Sequence, residues 1–195
     1  MKNVGIFSGS FNPIHIGHLA LANWICEYGG MDEVWFLVTP QNPLKEQNEL
    51  LDDNLRYELV KEAVATYPRF KASDIEFSMP RPSYTIDTID ELKKQYPQHT
   101  FHLIIGADNW RNIHRWKESG RLIAECPILV YPRKGDTINI SIKETNVHLI
   151  SAPEIEISST FIRESIRENK DIRFFLPNSS IPYVSKIREA LCRTK

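Results

Sequence analysis

The sequence predicts an α/β protein built on a doubly wound parallel sheet with helices on both faces. Three observations predict it. Short apolar runs alternate with segments of helical spacing along the whole chain. Gly and Pro punctuate the junctions, at Gly29-Gly30, Thr39-Pro40, Pro68, Pro97 and Pro132. The 195 residues, 42% hydrophobic and 25% charged, suffice for one domain with a full core, spanning 1–195.

Taken in order, Val4–Phe7 reads as a short buried strand and Pro13–Tyr28 as a helix ended by Gly29-Gly30. Val34–Val38 is a second strand. Asn54–Tyr67 has helical spacing in Leu55, Leu59, Ala63 and Tyr67, with Pro68 as the stop. Ile75–Phe77 is expected as a strand, Ile86–Tyr96 as a helix, and Phe101–Ile105, Ile128–Tyr131 and Val147–Ile150 as strands. Thr160–Asn169 and Pro182–Cys192 close the chain as helices. Sheets of this kind bind ligands outside the carboxyl ends of their strands, where strand order reverses. The long polar loop from Gln41 to Asp53 is either a lid or a surface connection.

Composition removes several function classes. A formal net charge of −1 implies no bulk basic surface, so no nucleic-acid partner is expected. No apolar run approaches a membrane span, and the N-terminus lacks a signal-peptide pattern, so the expectation is a cytoplasmic protein with no membrane partner. Three scattered cysteines, Cys26, Cys126 and Cys192, give neither a disulfide framework nor zinc spacing.

The chemistry concentrates in Gly5 to His18. Gly9 lets the backbone turn sharply and approach a ligand closely. Asn12 before Pro13 reads as an N-cap followed by proline at the first helical position. His15 and His18 then share one face of the first turns, at the positive end of the helix dipole, beside Ser10 and Phe11. Backbone N–H groups and two imidazoles there suit a polyphosphate. Gly17 inside the helix makes room for a flat group to pack. Near the far end, Ser158, Ser159 and Thr160 precede a helical run. One hydroxyl caps it, and the others are available to phosphate with Arg163 one turn on. A capped helix with a surface arginine is the plainer reading of that segment alone.

The His15-Ile16-Gly17-His18 turn together with Ile157–Arg163 resembles the nucleotidyltransferase superfamily that shares these two motifs. Such a resemblance implies a Rossmann-like sheet of nucleotidyltransferase type. His-Ile-Gly-His strings also occur in class I aminoacyl-tRNA synthetases, but the second lysine-rich loop of those enzymes is absent from this sequence. Further segments are similar to bacterial nicotinate-nucleotide adenylyltransferase: Pro40 to Lys45, Ser83 to Thr88, Ile104 to Asp108 with Trp116 beyond, and Pro132 to Gly135. Two departures stand out. Asn12 replaces the family's aspartate, and Asn42-Pro43-Leu44-Lys45 replaces a stretch that carries a histidine.

The resemblance implies adenylyl transfer from ATP to nicotinate mononucleotide, giving nicotinate adenine dinucleotide and pyrophosphate in NAD biosynthesis. It assigns His15, His18 and Arg163 to catalysis. Gly9, Ser10, Phe11, Gly106, Asp108, Ser158, Ser159 and Thr160 join them in holding ATP. Tyr84, Thr85, Trp116, Lys45 and Arg133 are assigned to the acceptor. The residues allow plainer readings too: Thr85 and Asp108 as helix caps, Trp116 as core, Lys45 and Arg133 as solvated loop cations. Mg²⁺ is expected to arrive with ATP, and no protein metal cage is expected. Rival readings are another adenylyl- or cytidylyltransferase, with nicotinamide mononucleotide or phosphopantetheine as acceptor, and a non-catalytic nucleotide sensor. The sequence leaves oligomeric state open, a homo-oligomer included.

Overall fold

The computed structural model describes residues 1–41, 50–133, 135 and 145–193. Its centre is one six-stranded sheet in which every pairing is parallel. The strands are β1 (Lys2–Gly9), β2 (Glu33–Val38), β3 (Phe70–Ser73), β4 (His99–Gly106), β5 (Ile128–Tyr131) and β6 (Val147–Leu149). Their spatial order is β3-β2-β1-β4-β5-β6, so chain direction across the sheet reverses between β1 and β4. The helices are α1 (Ile16–Tyr28), α2 (Asp53–Val64), α3 (Thr85–Gln95), α4 (Ala107–Arg111), α5 (Ser119–Glu125), α6 (Ser159–Arg167) and α7 (Val184–Arg193).

Side chains of a strand alternate between faces, so a strand buried on both sides must be apolar at every position. In β1, Val4 and Ile6 face one layer and Phe7 the other; in β2, Trp35 and Leu37 oppose Val34, Phe36 and Val38. The first layer collects Ile86, Ile89 and Leu92 of α3, Trp110 of α4 and Leu122 of α5. The second collects Ile25 of α1, Leu59 of α2, Ile162 and Ile166 of α6, and Ile187 of α7. Burying each such side chain fully is worth about 1.5–3 kcal/mol. The doubly wound expectation therefore holds, with α1, α2, α6 and α7 on one face and α3, α4 and α5 on the other.

Three local expectations are corrected. Ile75–Phe77 is not a strand: Ile75–Ser78 forms a 3₁₀ turn, and β3 lies just before it. Helix α1 does not begin at Pro13. Its N-cap is His15; before it, Phe11 takes a left-handed φ of 41° and the Asn12–Pro13 peptide is cis. The Asn12 side chain is committed elsewhere, its Oδ1 accepting the Leu51 N–H at 3.0 Å. Thr85 and Asp108 are not caps: they lie inside α3 and α4, whose N-caps are Tyr84 and Gly106. Trp35 is buried, whereas Trp24 is half-buried at a second cleft. No helix among the described residues is long and apolar enough to cross a membrane.

Candidate active site

At the carboxyl ends of β1, β4 and β5 opens a cavity of about 900 Å³, large enough for a nucleotide. It sits at the β1/β4 reversal, where a doubly wound sheet leaves a crevice. Gly9, Ser10, Phe11, His15 and His18 line one wall, Ser158, Ser159, Thr160 and Arg163 another, and Asp108 and Arg133 a third. Residues 146 to 151 positions apart in sequence are thereby brought to one place.

The first wall is the start of α1. His15 and His18 stack with ring centroids 3.7 Å apart and 23° between planes. The His18 Nδ1 accepts the His15 backbone N–H at 3.2 Å, which leaves the other ring nitrogen, Nε2, as the N–H donor. His18 also meets Phe7 and Phe11 edge-on, at 5.9 and 5.1 Å. Burial pushes the His15 pKa down to about 4, and the Arg133 charge adds to this. His15 is therefore a neutral imidazole at pH 7, a hydrogen-bond donor rather than a cation. Gly17 keeps this arrangement open: a Cβ there would stand 3.1 Å from His15 Nδ1 and 3.6 Å from Ile155 Cγ2. The room at Gly17 is thus taken up by His15 and Ile155, beside the cavity it lines.

The second wall is the start of α6. Ser158 is the N-cap, its Oγ accepting the Phe161 N–H at 3.1 Å. Ser159 Oγ donates to the Pro13 carbonyl at 2.9 Å, and Arg163 Nη1 donates to the Asn12 carbonyl at 3.1 Å. Two of the three hydroxyl residues thus build the wall. Thr160 presents its side chain at the exposed end, 3.5 Å from Arg163 Nη2. Both helix starts line the cavity, although several of their N–H groups are already engaged: Ile16 N–H by the Phe175 carbonyl, His18 N–H by the His15 carbonyl and Phe161 N–H by Ser158 Oγ.

The third wall carries charge. Arg133 Nη2 donates to the Tyr131 hydroxyl at 2.9 Å, and Arg133 Nε lies 3.5 Å from Asp108 Oδ1. Gly106 is packed under all three, since a Cβ there would collide with Asp108, Arg133 and Tyr131. Tyr131 was not legible as a site residue because it ends a buried strand and reads as core. The segment Ala152–Glu156, which also lines the cavity and brings Glu154 and Glu156, carries no motif.

Of the residues expected at the acceptor, Arg133 lines the cavity and the other described ones fall elsewhere. Tyr84, Thr85 and Trp116 do not line the cavity. They lie on the α3–α5 face, where Tyr84 and Trp116 pack on that layer and Lys117 Nζ sits 5.0 Å from the Tyr84 ring centroid. Lys45 lies outside the described residues. Among the described residues no group of three or more His, Cys, Asp or Glu could hold a metal ion, and the three cysteines are free.

Sequence missed two buried charges that shape the site. Arg56 is fully buried and donates to the carbonyls of Ser10 (2.5 Å), Thr39 (2.9 Å), Pro40 (3.3 Å) and Leu51 (3.0 Å) and to Asp53 (2.6 Å). It fixes the turn after β1 to the end of β2. Glu76 is buried among hydroxyl groups beside the same strand ends.

Known proteins converge on this architecture. The cytidylyltransferase-like family model matches residues 6–165. A Bacteroides fragilis protein named "Probable nicotinate-nucleotide adenylyltransferase" is 59% identical over 172 residues, covering 88% of this chain and 86% of its own. A Bacteroides thetaiotaomicron protein of the same name is 53% identical, covering 96% and 93%. The structure of Plasmodium falciparum nicotinic acid mononucleotide adenylyltransferase complexed with NaAD superposes with a TM-score of 0.82 at 23% identity, covering 97% and 98%, a likeness of fold. Identity and coverage of this order place the chain in the cytidylyltransferase-like family and, within it, among the nicotinate-nucleotide adenylyltransferases.

Proposed function

We propose that the protein transfers the adenylyl group of ATP to nicotinate mononucleotide, releasing pyrophosphate and forming nicotinate adenine dinucleotide for NAD biosynthesis. One observation carries the reading: two helix starts, bearing His15 and His18 on one and Ser158 to Arg163 on the other, face a single cavity at the sheet's crevice.

The acceptor's phosphate oxygen bonds to the α-phosphorus of ATP while the bond from that phosphorus to the bridging oxygen breaks, and pyrophosphate leaves. The nucleophile is already anionic at pH 7, so the reaction needs no general base. Catalysis is then positioning plus stabilisation of charge on the phosphate oxygens. His15 and His18 donate neutral N–H groups, and Arg163 supplies the charge on the opposite wall. Arg133 adds a second cation at the mouth. Gly9, Ser10 and Phe11 shape the backbone against the triphosphate, and Asp108 faces a ribose with Gly106 packed beneath it. Thr85, at the start of α3, and Trp116 receive the pyridine carboxylate and ring, with Tyr84 adjoining Thr85; Lys45 is assigned to the same acceptor from sequence. Mg²⁺ enters as part of the ATP substrate. The cytoplasm is the compartment that supplies both nucleotides.

The test is pyrophosphate release from MgATP with nicotinate mononucleotide, run beside nicotinamide mononucleotide and phosphopantetheine. Preference for the first is expected. Release with only one of the others would discard the acceptor and keep the ATP half. ATP binding with no release from any acceptor would replace the enzyme by a sensor.

A further inference from the structure

A carboxylate outside the nucleotide cavity has an arrangement that packing alone does not account for. Glu76 projects from the 3₁₀ turn after β3 and is only 4% exposed. Ser83 Oγ donates to its Oε2 at 2.7 Å, Thr88 Oγ1 to its Oε1 at 3.2 Å, and Ser8 Oγ to the same oxygen at 3.4 Å. Ser8 Oγ in turn stands 3.0 Å from Thr39 Oγ1. Its hydrogen-bond partners are the neutral hydroxyls of Ser83, Thr88, Ser8 and Thr39. Burial drives its pKa up, and those hydroxyls only partly oppose the shift.

Burying a carboxylate with neutral partners costs stability that an apolar side chain of the same volume would not. What the carboxylate provides is direction. Ser83 immediately precedes Tyr84, the N-cap of α3, and Thr88 lies one turn inside that helix. Thr88 Oγ1 also reaches the Tyr84 carbonyl at 3.2 Å. Glu76 therefore grips the start of α3 on both sides of Tyr84 and Thr85. Through Ser8 it ties that helix start to the end of β1, one residue from Gly9 in the nucleotide cavity.

We infer that Glu76 is a positioning residue that orients the start of α3 toward the acceptor and sets its distance from the bound nucleotide. This rests on the acceptor reading of Tyr84 and Thr85 given above. Ser83 makes the shortest of the measured contacts and Ser8, which lines the cavity, the longest; Ser8 and Thr39 keep each other as partners, so losing the carboxylate falls first on α3.

The experiment is steady-state pyrophosphate release with each substrate varied in turn, for wild type, Glu76→Gln, Thr88→Val and Thr88→Ser, with a thermal melt of each. Glu76→Gln and Thr88→Val are expected to raise KM for nicotinate mononucleotide about tenfold while KM for ATP stays within about twofold. Thr88→Ser, which keeps the hydroxyl, is expected to recover most of that loss. Equal rises in both KM values, or a lowered melting temperature with neither KM changed, would overturn the assignment. If Glu76→Gln does not fold, Ser83→Ala removes the 2.7 Å contact alone and reads the same split. A wild type active with another mononucleotide gives the split with that substrate. A wild type inert with every acceptor would overturn the functional reading together with this one, whereas an active wild type whose variants show no split overturns this one alone.

Discussion

Replacing Gly17 by alanine tests the geometry of the phosphate wall without removing any group from it. Gly17 is the second residue of α1. Alanine in a helix is favoured over glycine by up to about 1 kcal/mol. Against that, the new methyl would stand 3.1 and 3.2 Å from His15 Nδ1 and Cε1, closer than such contacts normally sit. His15 is only 4% exposed and lies 3.7 Å from the His18 ring, so it can yield by only a few tenths of an ångström, at the expense of that stacking. Strain of about 1 kcal/mol then cancels the helix gain, and stability should stay within about 1 kcal/mol of wild type. Turnover should not. A phosphate donor displaced by part of an ångström costs about 10- to 100-fold when catalysis is mainly positioning. Urea melts and pyrophosphate release on the same preparation separate the two effects. A variant of normal stability and kcat within twofold of wild type would show that the position of the His15 imidazole is not used.

Three further outcomes are expected. His18→Ala should lower kcat by about 100-fold or more, with a stability loss of about 1 kcal/mol for the partner of the His15 N–H; near-normal turnover in the rate assay would refute its role. His15 is held neutral in the fold, with a pKa of about 4 against 6.5 when unfolded, so the unfolded chain binds the extra proton between those values. Its contribution is complete above pH 6.5 and falls as pH drops toward 4, and urea midpoints across that window should lose less in His15→Gln than in wild type. Arg56→Met leaves the carbonyls of Ser10, Thr39, Pro40 and Leu51 without their shared donor and should cost about 3–5 kcal/mol, read as a shift in urea midpoint at unchanged slope.

The parts of this fold visible in sequence are those where one physical signal dominates. Ile128–Tyr131 is an uninterrupted apolar run, and it is β5 residue for residue. That the segments around His15 and Ser158 share one cavity was legible because two imidazoles and two glycines directly after a first strand are an uncommon combination, and the hydroxyl-rich helix start gained meaning only beside it. β3 was missed because it is a half-exposed edge strand whose Lys71 turns outward to Glu33. Ile75 and Phe77 mimicked a strand by alternating about Glu76, the residue that actually points inward. Asn12-Pro13 carries the signal of a helix start and of a turn, and the Leu51 N–H, 39 positions away, decides between them. Such a partner is invisible to any local pattern. Arg56 and Glu76 escaped for the same reason: a charged residue is read as surface until the carbonyls or hydroxyls that surround it are known.

The bonds from Ser159 to the Pro13 carbonyl and from Arg163 to the Asn12 carbonyl join two stretches made far apart in time during synthesis. A ribosome must finish α6 and release it from the exit tunnel before the first helix start acquires its opposite wall. A ligand held by both walls, as in the proposed function, would by mass action stabilise the docking of α6 in proportion to its concentration.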